Sequence, residues 1–202
     1  AIALSNDAVK LAVSMININE GSVKSTIAFY NYGTVGQNEI DHCVGVNNYD
    51  DMVIPEMEFT SNDRMVAFGD TKAVIFEGAQ KPQAIAEIAM DENTKSIFYN
   101  ERYIGIVTGN EDEAVTNHLV VYDENGKLVM EKDFGLDYSS IEFLSNNEIC
   151  IRNANACDIY TVHGVYKFHH EFEEELFEII PGKLKLNYTL VLKDTTQRIR
   201  LK

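Results

Sequence analysis

The densest group of potentially reactive side chains in this 202-residue sequence lies between His169 and Glu175. Two adjacent histidines are followed by glutamates at positions 171, 173, 174 and 175, and imidazole and carboxylate groups suit zinc or manganese. Adjacent residues of a strand point to opposite faces, so His169 and His170 are not expected to share one ion. We interpret the cluster as a solvated acidic connection, with a divalent metal site as the alternative.

Three acidic turns, at residues 91–93, 110–113 and 123–125, raise the question of calcium binding. None has the alternating oxygen ligands and closing glutamate of a dedicated calcium loop. The remaining histidines, His42, His118 and His163, stand alone at turns or strand ends. We predict that these histidines are structural or exposed.

No catalytic signature is present: the sequence lacks a nucleophile elbow, a phosphate-binding loop and a dinucleotide fingerprint. Glu56, Asp70 and Asp158 are acids that a hydrolase built on strands would place centrally. The chain has 32 acidic residues, however, so three suitable positions carry little weight. We therefore predict no catalytic, cofactor-binding or metal-binding residues and no cofactor, and the sequence favours a protein that is not an enzyme.

The three cysteines, Cys43, Cys150 and Cys157, are too few and too irregular for a disulfide framework. Cys150 and Cys157 flank a short turn at residues 152–155, so a disulfide between the two strands is one possibility. Two buried thiols that pack as small apolar side chains are the other.

The charge of the chain is acidic but unevenly distributed. The net charge is −15, which disfavours nucleic acid as a partner because the protein repels phosphate. Residues 181–202 contain six basic residues and one acidic residue, a net charge of +5 that leaves −20 for the rest. This basic end is either a last strand that lies against acidic neighbours or a docking segment for an acidic partner.

The composition is that of a folded domain, since 45% of the residues are hydrophobic. No apolar run approaches the ~18 residues of a membrane span, and no signal-peptide pattern opens the sequence. The chain begins at Ala1 rather than Met, and we expect that residues upstream of it exist in the natural protein.

The clearest structural element is a β-hairpin between Asn117 and Phe134. Leu119–Tyr122 and 128–130 supply residues that suit a pleated, packed surface. Between them, Asn125 and Gly126 form a turn, where Gly126 can adopt the positive φ that a tight turn or bulge demands.

Similar groups of short strands recur along the whole chain, separated by turns rather than by helices. Phe59, Phe98, Phe143 and Ile179 hold equivalent places before a turn and are 39, 45 and 36 residues apart, which is typical of propeller blades. The predicted units are 5–47, 56–90, 96–134, 140–172 and 176–202, with a polar connection at 47–51 and one long strand at 183–192. We predict an all-β fold: a β-propeller of four-stranded antiparallel blades, about five units, with a sandwich or barrel as the rival.

Several stretches carry a resemblance to known repeats. Tyr122–Leu128, reading Y-D-E-N-G-K-L, resembles the outer hairpin of quinoprotein-type propeller repeats. Residues 25–30, 55–59, 66–70, 95–100 and 157–164 resemble an uncharacterised family of clostridial, membrane-anchored propeller domains. The resemblance implies an extracytoplasmic location, an upstream membrane anchor and further upstream blades, so that residues 1–202 would be one domain or its C-terminal half. The chain has no tryptophan, so a bound quinone is not implied.

Three functions are compatible with this fold. The first is a non-enzymatic interaction module that binds a protein or cell-wall component through loops on one face. The second is a glycan-active lyase or glycosidase, which needs a pair of carboxylates ~5–10 Å apart. The third is an assembly scaffold that adds a strand to a blade edge. A half ring would also expose blade flanks, so a homodimer through these flanks is a further hypothesis.

Overall fold

Strands are the only regular elements in the described part of this computed structural model, which comprises residues 1–19, 21–31, 43–109, 117–184 and 186–200. None of these residues lies in a helix that is long and apolar enough to cross a membrane. Four predicted features, His42, the acidic turn at 110–113, Lys185 and Lys202, lie outside the described residues.

The strands form five sheets in which strand order follows chain order and all neighbours are antiparallel. The first sheet contains β1 (Ile2–Leu4), β2 (Lys10–Asn19), β3 (Ser22–Asn31) and β4 (Cys43–Asp50). The second contains β5 (Glu56–Ser61), β6 (Arg64–Phe68), β7 (Lys72–Glu77) and β8 (Gln83–Ala89). The third contains β9 (Thr94–Tyr99), β10 (Tyr103–Gly109), β11 (Asn117–Asp123) and β12 (Leu128–Phe134).

The fourth sheet contains β13 (Ser140–Phe143), β14 (Ile149–Arg152), β15 (Ala156–Tyr160) and β16 (Tyr166–Glu171). The fifth contains β17 (Leu176–Pro181), β18 (Asn187–Leu192) and β19 (Thr196–Arg200), so it has three strands among the described residues. Phe59, Phe98, Phe143 and Ile179 lie in the first strand of their sheets. Successive antiparallel sheets with this strand order are the blades of a β-propeller, as the spacing predicts.

The turn of the central hairpin has the predicted geometry. Gly126 has a φ of +75°, and the pairing of β11 with β12 shifts register between Val121 and Tyr122. A glycine in the left-handed region beside a register shift is the arrangement of a bulged hairpin turn.

Two predicted boundaries are wrong. Residues 47–50 were expected to form a polar connection, but they belong to β4 and pair with β3. Polar cross-strand contacts replace the apolar pattern there: Thr26 donates to Asn48 Oδ1 at 2.9 Å, and Lys24 pairs with Asp50 at 3.3 Å.

The second wrong boundary is the start of the long strand that was predicted at 183–192. The strand begins at Asn187, because the chain turns before it: Leu186 has a φ of +67°, and the Gly182 N–H donates to the Asn187 carbonyl at 2.7 Å. The turn places Lys183 and Leu184 beside the last strand.

The chain forms two compact units, Ala1–Glu92 with Glu124–Lys127, and Asn93–Asp123 with Leu128–Lys202. In the first unit, one apolar cluster joins the first and second sheets and includes Phe29 and Phe76, whose ring centroids are 5.1 Å apart. In the second unit, the fourth sheet contributes one face to a cluster with the third sheet and the other face to a cluster with the fifth. Within each unit, neighbouring blades therefore stabilise each other by burying a shared face.

Candidate interaction edge on the fifth sheet

The fifth sheet is held against the fourth by a core of buried side chains. Cys150, Cys157 and Ile159 of the fourth sheet pack with Tyr188 and Leu190 of the fifth, and each of the five is at most 2% exposed. Burial of this size fixes the position of β18. Since β19 pairs with β18, the core also positions the last strand.

Polar contacts reinforce this position. Tyr188 Oη donates to Glu148 Oε2 at 2.6 Å and accepts from Lys167 Nζ at 2.8 Å, while Lys167 also pairs with Glu148. Burial opposes protonation of Lys167, but its hydrogen bonds to Glu148 and Tyr188 outweigh this and raise its pKa. Arg152 Nη1 donates to the Leu176 carbonyl at 2.9 Å, which ties β14 to β17.

The outer edge of β19 has no partner strand among the described residues. The Leu192 N–H donates to the Thr195 carbonyl at 2.9 Å, and hydrogen-bonded and non-hydrogen-bonded pairs alternate along an antiparallel ladder. In the register of β18 and β19, the next hydrogen-bonded pairs are therefore Leu190 with Gln197 and Tyr188 with Ile199. The backbone groups of Gln197 and Ile199 thus bond to β18. The N–H and C=O groups of Thr196, Arg198 and Arg200 therefore point outward, and we call these three residues the open edge.

A basic groove adjoins the open edge. It has a volume of about 510 Å³. Its lining combines the turn after β17 with both strands of the last hairpin: Gly182, Lys183, Leu184, Asn187, Tyr188, Thr189, Arg198, Ile199 and Arg200. Lys183, Arg198 and Arg200 are exposed, and none of them forms an ion pair with any residue that the structure describes.

The exposed cations bear on one sequence interpretation. The basic last strand was expected either to lie against acidic neighbours or to dock an acidic partner. Among the described residues, no acidic side chain forms an ion pair with Arg198 or Arg200. The groove is also partly apolar, because the Leu184 side chain is 73% exposed. Cationic and apolar groups are thus both available at the same edge.

A smaller acidic recess lies at the other end of β19. It has a volume of about 290 Å³ and is lined by His170, Glu171, Phe172, Glu173, Glu174, Leu192 and Gln197. Glu174 accepts a hydrogen bond from Thr195 Oγ1 at 3.3 Å. The charge beside β19 therefore changes sign along the strand, from acidic at its start to basic at its end.

The His169–Glu175 cluster does not converge on one point. His169 Nδ1 lies 2.8 Å from Asp158, whereas the ring of His170 packs on Phe172 with centroids 4.9 Å apart. The two histidines contact different groups, as expected for neighbours on a strand. No group of three or more metal-binding side chains occurs in the described ranges, and this includes the turns at 91–93 and 123–125.

The disulfide that was one of two possibilities for Cys150 and Cys157 is not formed. Both thiols are free and buried, because the register sets Cys150 opposite Ile159 and Cys157 opposite Arg152. The alternative of two buried apolar thiols is confirmed. Burial raises the pKa of Cys157 to about 12, which keeps this thiol protonated and unreactive.

Three of the other polar residues considered from the sequence, Asp70, Asp158 and His118, have local partners. Asp70 accepts from the Val53 N–H at 3.1 Å, and Asp158 is bound by His169. His118 lies 2.7 Å from Asp133 and 3.1 Å from Glu131. His163 is exposed.

A larger groove, of about 780 Å³, lies in the first unit beside Tyr49 and Lys72. Its charged groups are already engaged: Lys72 pairs with Glu87 at 2.8 Å and lies over the Tyr49 ring at 5.6 Å. Burial, assisted by Glu87, raises the pKa of Tyr49 to about 12. This groove therefore offers fewer available charges than the basic groove.

The first sheet has an exposed apolar face. Cross-strand partners share a face, and the register places Ile2 with Val13 and Val46, next to Met15. Ile2 is 72%, Met15 48% and Val46 53% exposed. The other face of this sheet packs on the second sheet.

Comparison with known proteins identifies the fold but no activity. The sequence model of a protein family of unknown function, DUF5711, matches residues 1–201. No curated protein matches the sequence significantly.

Solved structures are similar at low sequence identity. Sqt1 from Chaetomium thermophilum has a TM-score of 0.56 and 11% identity, over 100% of this chain and 57% of that one. Kluyvelomyces marxianus Hsv2 has a TM-score of 0.53 and 8% identity, over 98% and 70% of the two chains. HIRA(644-1017) has a TM-score of 0.50 and 12% identity, over 81% and 52%. At such identity the similarity establishes the β-propeller fold alone.

Proposed function

The chain belongs to DUF5711, a family of unknown function, and we propose from its surfaces that it is a non-enzymatic interaction module. Its binding site is the open edge of the fifth sheet, where a segment of a protein partner adds the fourth strand. Strand addition of this kind combines main-chain hydrogen bonds, which give affinity, with side-chain contacts, which give specificity.

One observation carries this proposal: among the described residues, the third strand of the last sheet is unpaired on one side. The third strands of the other sheets, β3, β7, β11 and β15, pair on both sides. An uncovered edge presents a row of unpaired backbone groups and readily accepts another strand. The core around Tyr188 and its bonds to Glu148 and Lys167 hold this edge in place before binding, so little ordering of the acceptor is needed.

A proline at Thr196 tests this proposal. The N–H of Thr196 points outward, so Thr196→Pro removes a group of the open edge and leaves the bonds to β18 intact. Thr196→Val keeps the N–H and is the matched control. A partner that co-purifies from native cells with the wild type and with Thr196→Val should be lost with Thr196→Pro. Equal recovery with all three would contradict binding at this edge.

We propose further that the module acts outside the cytoplasm, anchored through an upstream segment. The support is the resemblance of stretches such as 157–164 to membrane-anchored propeller domains. Labelling of intact cells with an amine reagent that cannot cross membranes tests this location, since Lys183 and Lys193 are exposed. Labelling that occurs only after lysis would contradict it.

A second copy of the chain is our candidate occupant for the apolar face of the first sheet. Ile2, Met15 and Val46 are exposed there, and Lys24 and Asp50 at its rim supply both signs of charge, so two such faces do not oppose like charges. Light scattering should show a dimer that Met15→Lys and Val46→Lys convert to a monomer. A monodisperse wild-type monomer would contradict this pairing.

A glycan-active lyase or glycosidase is less well supported. Two of the three acids considered for it, Asp70 and Asp158, are bound by other groups. The role of an assembly scaffold, by contrast, is compatible with strand addition at the open edge, because an added strand joins two chains.

A further inference from the structure

We infer that the partner segment, on the proposed strand addition, is an extended acidic–apolar–acidic strand that runs antiparallel to β19. Two carboxylates lie opposite Arg198 and Arg200, and one apolar side chain lies opposite Ile199. This inference rests on the proposed function and specifies the chemistry of its partner.

The two carboxylates follow from the exposed cations of the open edge. Arg198 and Arg200 are two residues apart and therefore lie on the same face of the sheet, opposite Thr189 and Asn187. Directly opposed residues on neighbouring strands interact most strongly, and opposite charges stabilise the pairing. Carboxylates at two alternate positions of the added strand match these two guanidinium groups, which favour bidentate hydrogen bonds.

The apolar residue follows from the chain's own complete sheets. In the fourth, third and second sheets, the fourth strand places an apolar residue opposite a buried residue of the third. These pairs are Phe168 with Ile159, Met130 with Val121, and Ile88 with Ala73. Ile199 is the equivalent residue of β19, since it packs on the apolar cluster with Tyr188. It is only partly buried, and an opposing apolar side chain would complete its cover.

The acidic recess fixes the position of the carboxylates along the edge. Glu173 and Glu174 line the recess beside Gln197, at the start of β19, and like charges in close opposition are unfavourable. An acidic residue at this end of the added strand is therefore disfavoured, whereas a basic one is favoured. In an antiparallel partner, the acids precede the basic residue in sequence.

A second copy of β19 does not fit these requirements. In an antiparallel pair of two β19 strands, the arginines of one copy would approach those of the other, since β19 reads T-Q-R-I-R. Like charges directly opposite one another destabilise a strand pair. The partner at this edge therefore has a sequence different from β19.

Titration calorimetry, in which capped peptides are titrated into the protein without any other partner, tests the inference. The matched peptide has the sequence Thr-Glu-Val-Glu-Thr-Lys-Thr, and the control, Thr-Glu-Glu-Val-Thr-Lys-Thr, has the same composition and charge. The control places its two glutamates on opposite faces. We expect the matched peptide to bind at least about tenfold more tightly, a difference of about 1.4 kcal/mol.

Charge reversal supplies the second arm. Arg198→Glu combined with Arg200→Glu should weaken binding of the matched peptide at least about tenfold. The same double variant should bind a peptide in which the two glutamates are replaced by lysines. Arg102→Glu with Lys193→Glu changes the net charge equally at exposed positions outside the groove. This control should bind like the wild type.

The outcomes separate the inference from the proposed function. If Thr196→Pro weakens both peptides but charge reversal changes neither, strand addition holds and the acidic–apolar–acidic specificity is wrong. If charge reversal weakens peptide binding but Thr196→Pro does not, the peptide binds through its charges without pairing as a strand, and strand addition is wrong. Absence of binding by the matched peptide, or equal binding of the control peptide or of a single-stranded oligonucleotide, overturns the inference.

Discussion

β15 and β19 occupy the same position in neighbouring sheets but have opposite surroundings. β15 pairs with β14 and β16, and four of its five residues are buried. Among the strands that the structure describes, β19 pairs with β18 alone, and four of its five residues are exposed. The fourth residue of each strand is an isoleucine, Ile159 in β15 and Ile199 in β19.

The difference shows what a fourth strand does in this fold. Where β16 covers β15, the third strand is part of the core and carries alanine, cysteine, isoleucine and tyrosine. Where no strand covers β19 among the described residues, threonine, glutamine and arginine take the places of the alanine, cysteine and tyrosine, and the isoleucine is retained. Charged side chains on an open edge oppose indiscriminate pairing, and on the proposed strand addition they also select a complementary partner. Measurements of the same property in β15 and in β19 should therefore give different results.

Thiol reactivity should show the largest divergence. Cys157 in β15 and Gln197 in β19 hold matched positions, and Cys157 is fully buried. In a Cys43→Ser background, a Gln197→Cys thiol should react with a maleimide at least ~10³-fold faster than Cys157, whose exposure requires unfolding. Quantification of labelled peptides by mass spectrometry measures both rates. Similar rates would show that β15 is not protected by its fourth strand.

Truncation of the two isoleucines should affect stability unequally. Ile159→Ala removes a fully buried side chain and should lower the free energy of unfolding by about 2–5 kcal/mol. Ile199→Ala, at a partly buried position, should cost about 1 kcal/mol or less. Denaturant titration measures both values. Equal losses would mean that Ile199 is covered as fully as Ile159.

Loss of the Tyr188 hydroxyl should loosen the fifth sheet while the fourth stays intact. Tyr188→Phe leaves Glu148 and Lys167 without one partner in a partly buried site, at a cost of about 1–3 kcal/mol. Hydrogen exchange should accelerate in β18 and β19 more than in β14 and β15. Uniform acceleration would show that the two sheets open as one unit.

Alkaline pH should reduce the contribution of the Tyr188 hydroxyl to the stability of the folded protein. Burial, followed by the hydrogen bond to Glu148, raises the pKa of Tyr188 above its usual value of 10.0. The folded state thus holds this proton more tightly than the unfolded state, and the stability gained is lost as pH rises through and above 10. The stability difference between the wild type and Tyr188→Phe should therefore shrink between pH 9 and pH 11. A difference that is constant or grows over this range would contradict the assigned role.

Much of the fold was predictable because its determinants are local. Alternating apolar residues and turn signals such as Asn125–Gly126 specify hairpins directly, and the spacing of Phe59, Phe98 and Phe143 specifies the repeat. The prediction failed at residues 47–50 because polar cross-strand contacts, such as Thr26 with Asn48, hold that strand. These contacts depend on a partner strand about 20 residues away, which a local pattern does not reveal.

The candidate site was only partly predictable. The net charge of +5 in residues 181–202 indicated that Arg198 and Arg200 belong to a basic segment. It did not indicate whether they are paired, since this depends on the sheet to which β19 belongs and on whether a described strand covers its outer edge. The histidine cluster attracted attention by composition alone, although the strand directs His169 and His170 to different contacts.

Residue-resolved hydrogen exchange in β19 shows directly whether its outer edge is open and accepts a strand. In the free chain, the amides of Thr196, Arg198 and Arg200 should exchange much faster than those of Gln197 and Ile199, because only the latter bond to β18. Addition of the matched acidic peptide should slow the three outward amides and leave the inward two unchanged. If the five amides exchange alike in the free chain, or the peptide protects none of the outward three, then β19 is not an open edge that accepts a strand.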